Sequence, residues 1–196
     1  MKRPLTCINV SVMTTIGDTS KSKFHSLLHD QIRNEFNAAH QYTAIAIFFD
    51  NADCPQLAKF FYGQSVEERN HAMMIVQYFL DRGIAVELTG VDAAASMFED
   101  AREPIALALE QEQRVTDQVV ELARTARDEG DYLGEQFMQW FLKEQVEEVS
   151  VMSTLKTIAG RAGENLFDLE NYVAREINSK AGGADASAPS VAGGAL

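Results

Sequence analysis

The segment GIAVELTGVDAAASMFED, residues 83–100, follows neither a helical nor a hairpin pattern. Its first residues alternate briefly, and Gly90 breaks the alternation. On both sides the chain is rich in helix formers, with apolar residues recurring at a 3.6-residue period. Upstream, helices are expected over residues 21–50 and 55–82. Between them, Asp53 is placed to cap and Pro55 to occupy the first turn. Downstream, helices are expected over 103–129 and from 131 to 159 or 160, separated by Gly130 and Asp131, with a shorter fifth helix over 164–177. Four helices of nearly thirty residues would each be about 40 Å long at 1.5 Å per residue. The short connections make helices one and two, and three and four, antiparallel pairs. The long segment 83–100 can travel the bundle's full length and leave helices two and three parallel. One long crossover sets this arrangement apart from cytokine-type bundles, which have two. The fold expected is all-α: a four-helix bundle with one crossover and a short C-terminal fifth helix.

Composition sets outer limits. The 196 residues suffice for one domain with a real core, and 46% of them are hydrophobic. The formal net charge of −12 argues against nucleic acid or an anionic membrane as partner and fits a surface that attracts cations. Two cysteines, Cys7 and Cys54, make neither a disulfide framework nor a metal-ligand spacing, so a reducing, cytoplasmic setting is expected. No run approaches the roughly 18 apolar residues of a membrane span, and the N-terminus does not read as a secretory signal. Residues 1–20 show no sustained period and are expected to be a flexible extension, with Met13 an alternative start. The bundle domain would occupy 21–178. The tail 179–196, rich in Gly, Ala, Ser and Pro, is expected to be disordered.

Stepping along each helix by threes and fours gives an inward stripe. Helix one presents Leu28, Ile32, Glu35, Ala39, Tyr42, Ala46 and Phe49; helix two presents Leu57, Phe61, Gln64, Glu68, His71, Ile75 and Tyr78. Helix three presents Ile105, Ala108, Glu112, Val115, Val119, Leu122 and Ala126. Helix four presents Gly134, Met138, Phe141, Gln145, Glu148, Met152, Leu155 and Ala159. Every stripe is apolar or small except near its middle, where carboxylates, amides and one imidazole enter, and no Lys or Arg accompanies them. Burying an unpaired ion costs several kcal/mol, a large share of the 5–15 kcal/mol that stabilises a typical domain. A polyvalent cation removes that cost. Any one of these glutamates, a step out of register, would be an ordinary surface residue; coincidence at similar depth on four helices is much harder to reach by chance. Glu68-x-x-His71 supplies two ligands from adjacent turns. The donor set suits iron, manganese or zinc, and lacks the thiolates of a structural cysteine site. Glu67, Glu144 and Glu147 lie beside it; a solvated acidic face explains them as readily as a further metal position. Tyr42, two turns from Glu35, is either a satisfied core residue or a donor of a hydrogen bond or an electron.

At Gln31-Ile-Arg-Asn-Glu35, Val66-Glu-Glu-Arg-Asn-His71, Glu110-Gln-Glu112-Gln and Phe141-Leu-Lys-Glu-Gln-Val-Glu-Glu148 the chain resembles the non-haem ferritins of actinobacteria. The resemblance covers about residues 21–177. It implies a di-iron site with Glu35, Glu68 and His71 at one position and Glu68, Glu112 and Glu148 at the other, Gln145 nearby. It also implies an additional iron position at Glu67, Glu144 and Glu147. There is only one Glu-x-x-His; helix four carries Gln145 and Glu148 where other di-iron bundles carry a second, which points away from bacterioferritins. Arg69 stands where bacterioferritins place the methionine that binds haem, so no haem is implied. The activity implied is oxidation of Fe(II) by O2 or H2O2, with Fe(III) stored inside a cage of twenty-four subunits. Asp128, Glu129, Asp131 and Glu135 are candidates for an acidic entry pore. A rival reading is a small non-storage di-iron oxidase or peroxidase, which predicts a small oligomer; a ferritin-like shell protein with an inactive site is another. The tail, ending Gly193-Gly-Ala-Leu196, is a candidate docking peptide for a larger encapsulating compartment.

Overall fold

A computed structural model of the chain describes residues 22–179 and 185–196; the N-terminal extension expected over 1–20 lies outside them. Five α-helices are present among the described residues: α1 Lys23–Asn51, α2 Pro55–Asp81, α3 Arg102–Asp128, α4 Tyr132–Ala162 and α5 Leu166–Tyr172, the last continuing as a π-helical turn over Val173–Ile177. No helix among them is long and apolar enough to cross a membrane. Helix α1 packs chiefly on α2, and α3 on α4.

The crossover fixes the relative direction of the two pairs. It runs extended along α1, and one side chain per turn of that helix holds it. The Glu87 N–H donates to His29 Nε2 (3.3 Å), and Arg33 Nε donates to the Gly90 carbonyl (3.1 Å). Asn37 pairs with Asp92 through both amide atoms, and Gln41 does the same with the Ala95 backbone. Because 87 to 95 advances in step with 29 to 41, the chain returns to the end where α2 began. Helix α3 therefore starts beside the start of α2, and the two run parallel.

The N-termini of α1 and α2 each take a carboxylate from elsewhere in the fold. Glu129, just beyond α3, accepts the Lys23 and Phe24 N–H groups at the start of α1 (2.7 and 3.3 Å). Pro55 opens α2 as expected, but Asp53 does not cap it: Asp53 adopts a left-handed conformation in the tight turn, and Cys54 holds the cap position without a side-chain bond. Glu170 of α5 instead accepts the Gln56 and Leu57 N–H groups, both at 2.8 Å. A carboxylate at a helix N-terminus satisfies orphan donors and opposes the positive end of the dipole.

The core divides into two apolar clusters. One gathers Phe49, Leu57, Ile105 and Leu155 at the end where α1 finishes; the other gathers Phe24, Phe79, Leu122 and Met138 at the opposite end. Of the inward stripes only Tyr78 falls short of full burial, with Phe79 taking the buried place. Between the clusters lies a polar middle layer.

Residues 185–196 are not the free tail expected from composition. They lie against α2 and α4: Asp185 accepts from Trp140 Nε1 (3.1 Å) and pairs with Lys143 (3.3 Å). The Ala192 N–H donates to the Met73 carbonyl (3.1 Å), and the Leu196 N–H to Asn70 (3.3 Å). Composition misleads here because three small apolar residues, Ala188, Val191 and Ala192, suffice to anchor a segment that has backbone partners waiting.

Helix α4 approaches α1 through Gly134, where an added Cβ would fall on the Phe24 ring, with Cζ 2.8 Å away. Gly134→Ala gains about 1 kcal/mol of helix propensity but overpacks a fully buried aromatic, which costs about 1–3 kcal/mol. A net loss of stability is expected in thermal unfolding of the metal-free protein; a higher melting temperature would refute this account of the contact.

Candidate metal centre

The middle layer holds Glu35 from α1, Gln64, Glu68 and His71 from α2, Glu112 from α3, and Gln145 and Glu148 from α4, all buried. One atom from each of Glu35, Glu68 and His71 lies within 4.8 Å of the others, a spacing that a single cation can bridge. His71 Nδ1 is 3.1 Å from Glu68 Oε2. Burial lowers the His71 pKa below its usual value, so we read this contact as a hydrogen bond of a neutral imidazole, the form that ligates metals, rather than as an ion pair. Glu35 Oε2 is buried and has no partner among the described residues.

Burial first, and neighbouring carboxylates second, raise the carboxyl pKa values. Glu68 is pushed well above the usual range by desolvation and then by Glu112, Glu35 and Glu148. Glu148 is pushed well up by desolvation and then by Glu67 and Glu112. Glu112 is raised to about 7, chiefly by burial and against the hydrogen bond from Tyr42. That bond places the Tyr42 hydroxyl on Glu112 Oε1. Tyr42 is fully buried, and desolvation with the adjacent Glu112 charge keeps its phenol protonated. Gln145 Nε2 reaches the other Glu112 oxygen at 3.5 Å, and Thr116 Oγ1 donates to Gln145 Oε1 at 2.8 Å.

A second group, Glu67, Glu144 and Glu148, brings one oxygen from each within 4.8 Å of the others toward the α2–α4 face. Glu67 and Glu144 are only partly buried. Glu147, expected in this group, is exposed; the grouped oxygens come from Glu67, Glu144 and Glu148, and the Glu147 charge raises the Glu144 pKa, after burial and Glu67. Of the candidate pore acids, three are occupied in internal contacts. Glu129 caps α1, Asp131 caps α4 and pairs with Arg82 (3.0 Å), and Glu135 pairs with Arg127 (2.6 Å).

Inward periodicity did not identify Gln31, although it is buried. Its Nε2 donates to Glu35 Oε1 (3.0 Å) and to Gln118 (3.3 Å), while its Oε1 accepts from Asn34 (3.0 Å). The signal available was the four-residue spacing Gln31–Glu35, which puts the amide one turn behind the carboxylate.

A family model described as a ferritin-like domain matches residues 25–159. Ferritin BfrB of Mycolicibacterium smegmatis is 63% identical over 175 residues, covering 89% of this chain and 96% of its own. A Mycobacterium tuberculosis protein, called ferritin BfrB in one strain and bacterioferritin BfrB in another, is 61% identical over 176 residues, covering 90% of this chain and 96% of its own. A bacterial non-heme ferritin of Staphylococcus aureus is 38% identical, covering 74% of this chain and 87% of its own. Among solved structures, an open pore ferritin from Archaeoglobus fulgidus superimposes with a TM-score of 0.76 at 27% identity, covering 80% of this chain and 97% of that one.

Three raised carboxyl pKa values oppose one lowered histidine, His71, and outweigh it in setting the metal-free protein's pH dependence. Between about 4.5, the ordinary value, and about 7, folded Glu112 keeps a proton that the unfolded chain has lost. Its contribution to stability is therefore full below about 4.5 and is lost as pH rises through about 7. Calorimetry with a chelator present should show the melting temperature falling from pH 5.5 to 8. Added Zn(II), which competes with those protons, should restore more stability at pH 8 than at 5.5. A melting temperature that rose over this window would contradict the electrostatics above.

Proposed function

This chain belongs to the ferritin family, and from that premise we propose that it oxidises Fe(II) at the Glu35–Glu68–His71 group and its neighbours and stores the Fe(III) product. Iron is the substrate here, not a resident cofactor. The observation that carries the reading is the buried meeting of Glu35, Glu68 and His71 within 4.8 Å, with Glu112 and Glu148 buried beside them. Two ions side by side would use Glu35, Glu68 and His71 for one and Glu68, Glu112 and Glu148 for the other, with Gln145 orienting Glu112.

Paired Fe(II) ions deliver two electrons together, reducing O2 to H2O2, or H2O2 to two waters, with two protons taken up in either case. The residues around the ions have distinct tasks. Carboxylates neutralise the charge that grows as Fe(II) becomes Fe(III). Burial excludes water. The Tyr42 hydroxyl holds one Glu112 oxygen, and the long 3.5 Å contact from Gln145 to the other is the one an ion would displace. Four site carboxylates, with no buried Lys or Arg residue among the described residues, favour a cation over a neutral organic substrate.

Net charge of −12 would draw Fe(II) toward the molecule, and the partly exposed Glu67 and Glu144 offer a staging position at the edge of the site. The reading includes a closed shell of twenty-four chains, a cytoplasmic setting and no haem. Arg69 holds the position of the haem-binding methionine and provides no soft ligand.

Two measurements test this. Aerobic addition of Fe(II) to the Glu68→Ala, His71→Ala double variant should lose more than about 100-fold of the initial oxidation rate, since even residues one step removed from a metal are commonly worth 10–100-fold. Oxidation at the wild-type rate would remove the site assignment. Native mass should correspond to twenty-four chains carrying many iron atoms each after loading; a small oligomer that turns over without retaining iron would favour the non-storage oxidase.

A further inference from the structure

Where the two acidic groups meet on the α2–α4 side, one uncharged side chain joins them. Gln64 lies on α2 one turn before Glu68 and is 7% exposed. Its Nε2 donates to Glu67 Oε2 at 2.8 Å and reaches Glu148 Oε1 at 3.5 Å. Its Oε1 is buried and has no partner among the described residues.

Glu148 is the group that the buried pair, through its second ion, and the outer Glu67–Glu144 position would both need. Its neighbours in charge are Glu67, on the outer side, and Glu112, on the inner. In this structure a Glu148 oxygen gathers with Glu67 and Glu144, not with Glu35, Glu68 and His71. The Gln64 amide supports that arrangement physically. It gives each of two repelling carboxylates a hydrogen bond, and it does so without a positive charge that would compete with a metal ion. A lysine at this place would neutralise the acids; an apolar residue would leave Glu148 untethered. The 3.5 Å contact is the longer of the two bonds and the one that yields when an ion draws Glu148 inward. The bond to Glu67 is short and holds the amide in place. The vacant Oε1, a neutral carbonyl-type oxygen, is then a further acceptor between the two groups for a cation in passage.

We propose that Gln64 is a positioning residue that sets how Glu148 is shared between the buried pair of ions and the Glu67–Glu144 position, and so governs transfer of an ion from one to the other. This rests on the function proposed above and adds a device for handing ions between its two acidic groups.

The test is calorimetric titration of the assembled, metal-free protein with Zn(II), which binds without redox chemistry. Wild type should take two ions at the buried group and a weaker third at Glu67, Glu144 and Glu148. Gln64→Met keeps the side-chain volume but cannot donate. It should widen the gap between the third affinity and the first two by about tenfold, the scale typical of a residue behind a metal ligand. Gln64→Glu adds an anion at the same spot and should narrow the gap. Opposite shifts from two near-isosteric changes are not what a general loss of structure produces. Co(II) at the third position should report the same difference as altered visible d–d bands. An unchanged gap in both variants, or three affinities falling together, would overturn the role of Gln64. Fewer than two Zn(II) per wild-type chain would instead defeat the di-iron reading itself, which keeps the two failures distinct.

Discussion

A layer of carboxylates closed off at both ends by apolar side chains is the condition on which the rest of this bundle depends. The clusters around Phe49 and Phe79 exclude water from either side of Glu35, Glu68, Glu112 and Glu148. Charge in such a place costs several kcal/mol per ion even after relaxation. Protons meet the cost in the metal-free chain, which is why burial leads the causes of raised pKa at Glu68, Glu112 and Glu148. A Lys or Arg among them would also meet it, and would fill the space a metal ion needs. Keeping the layer free of fixed cations leaves the molecule less stable than a hydrophobic core would, and on the proposed function it would make cation binding part of the folding energetics.

Neutral groups do the orienting instead. Gln31 holds Glu35, Gln64 holds Glu67 and Glu148, Gln145 and Tyr42 hold Glu112, and Thr116 fixes Gln145. An amide or a phenol donates a hydrogen bond to a carboxylate yet leaves its charge available. It also does not titrate near neutral pH, so the orientation survives when the site exchanges protons for metal. A histidine in each of these places would bring its own protonation equilibrium; here the one site histidine is kept neutral by burial.

The legible parts of this fold were those governed by periodicity and chain length. Period alone placed Glu35, Glu68, His71, Glu112, Gln145 and Glu148 in one layer, because helices of this length leave little freedom once their apolar faces meet. The direction of α3 followed from the crossover's length, although its reading by His29, Arg33, Asn37 and Gln41 did not, since those are exposed or half-exposed polar residues of the kind that coat any helix. Contacts decided by a single side chain from a distant element stayed hidden. Glu170 capping α2 in place of Asp53, the pairing of Asp131 with Arg82, and the approach of a Glu148 oxygen to Glu67 and Glu144 are all of this kind. The packed tail is a further case: composition reports average tendency, and a few bonds at Asp185 and Ala192 outweigh it.

An iron-oxidising site has to solve two opposed problems, and the gradient of burial bears on both. Hard carboxylate oxygens that stabilise Fe(III) favour oxidation but also retain the product. A site buried on all sides would oxidise once and remain filled. Here burial is complete at Glu35, Glu68 and Glu112, nearly so at Gln64 and Glu148, and partial at Glu67 and Glu144. An ion moving along that series keeps carboxylate ligands at each step while regaining water, so no step requires a bare cation in a low-dielectric core. Because Glu148 belongs to both ends of the series, an ion that had moved out to Glu67 and Glu144 would still engage it, and the buried pair would regain that ligand only as the outer ion moved on. On the proposed function, oxidation and clearance are then coupled through one shared carboxylate and the amide that restrains it.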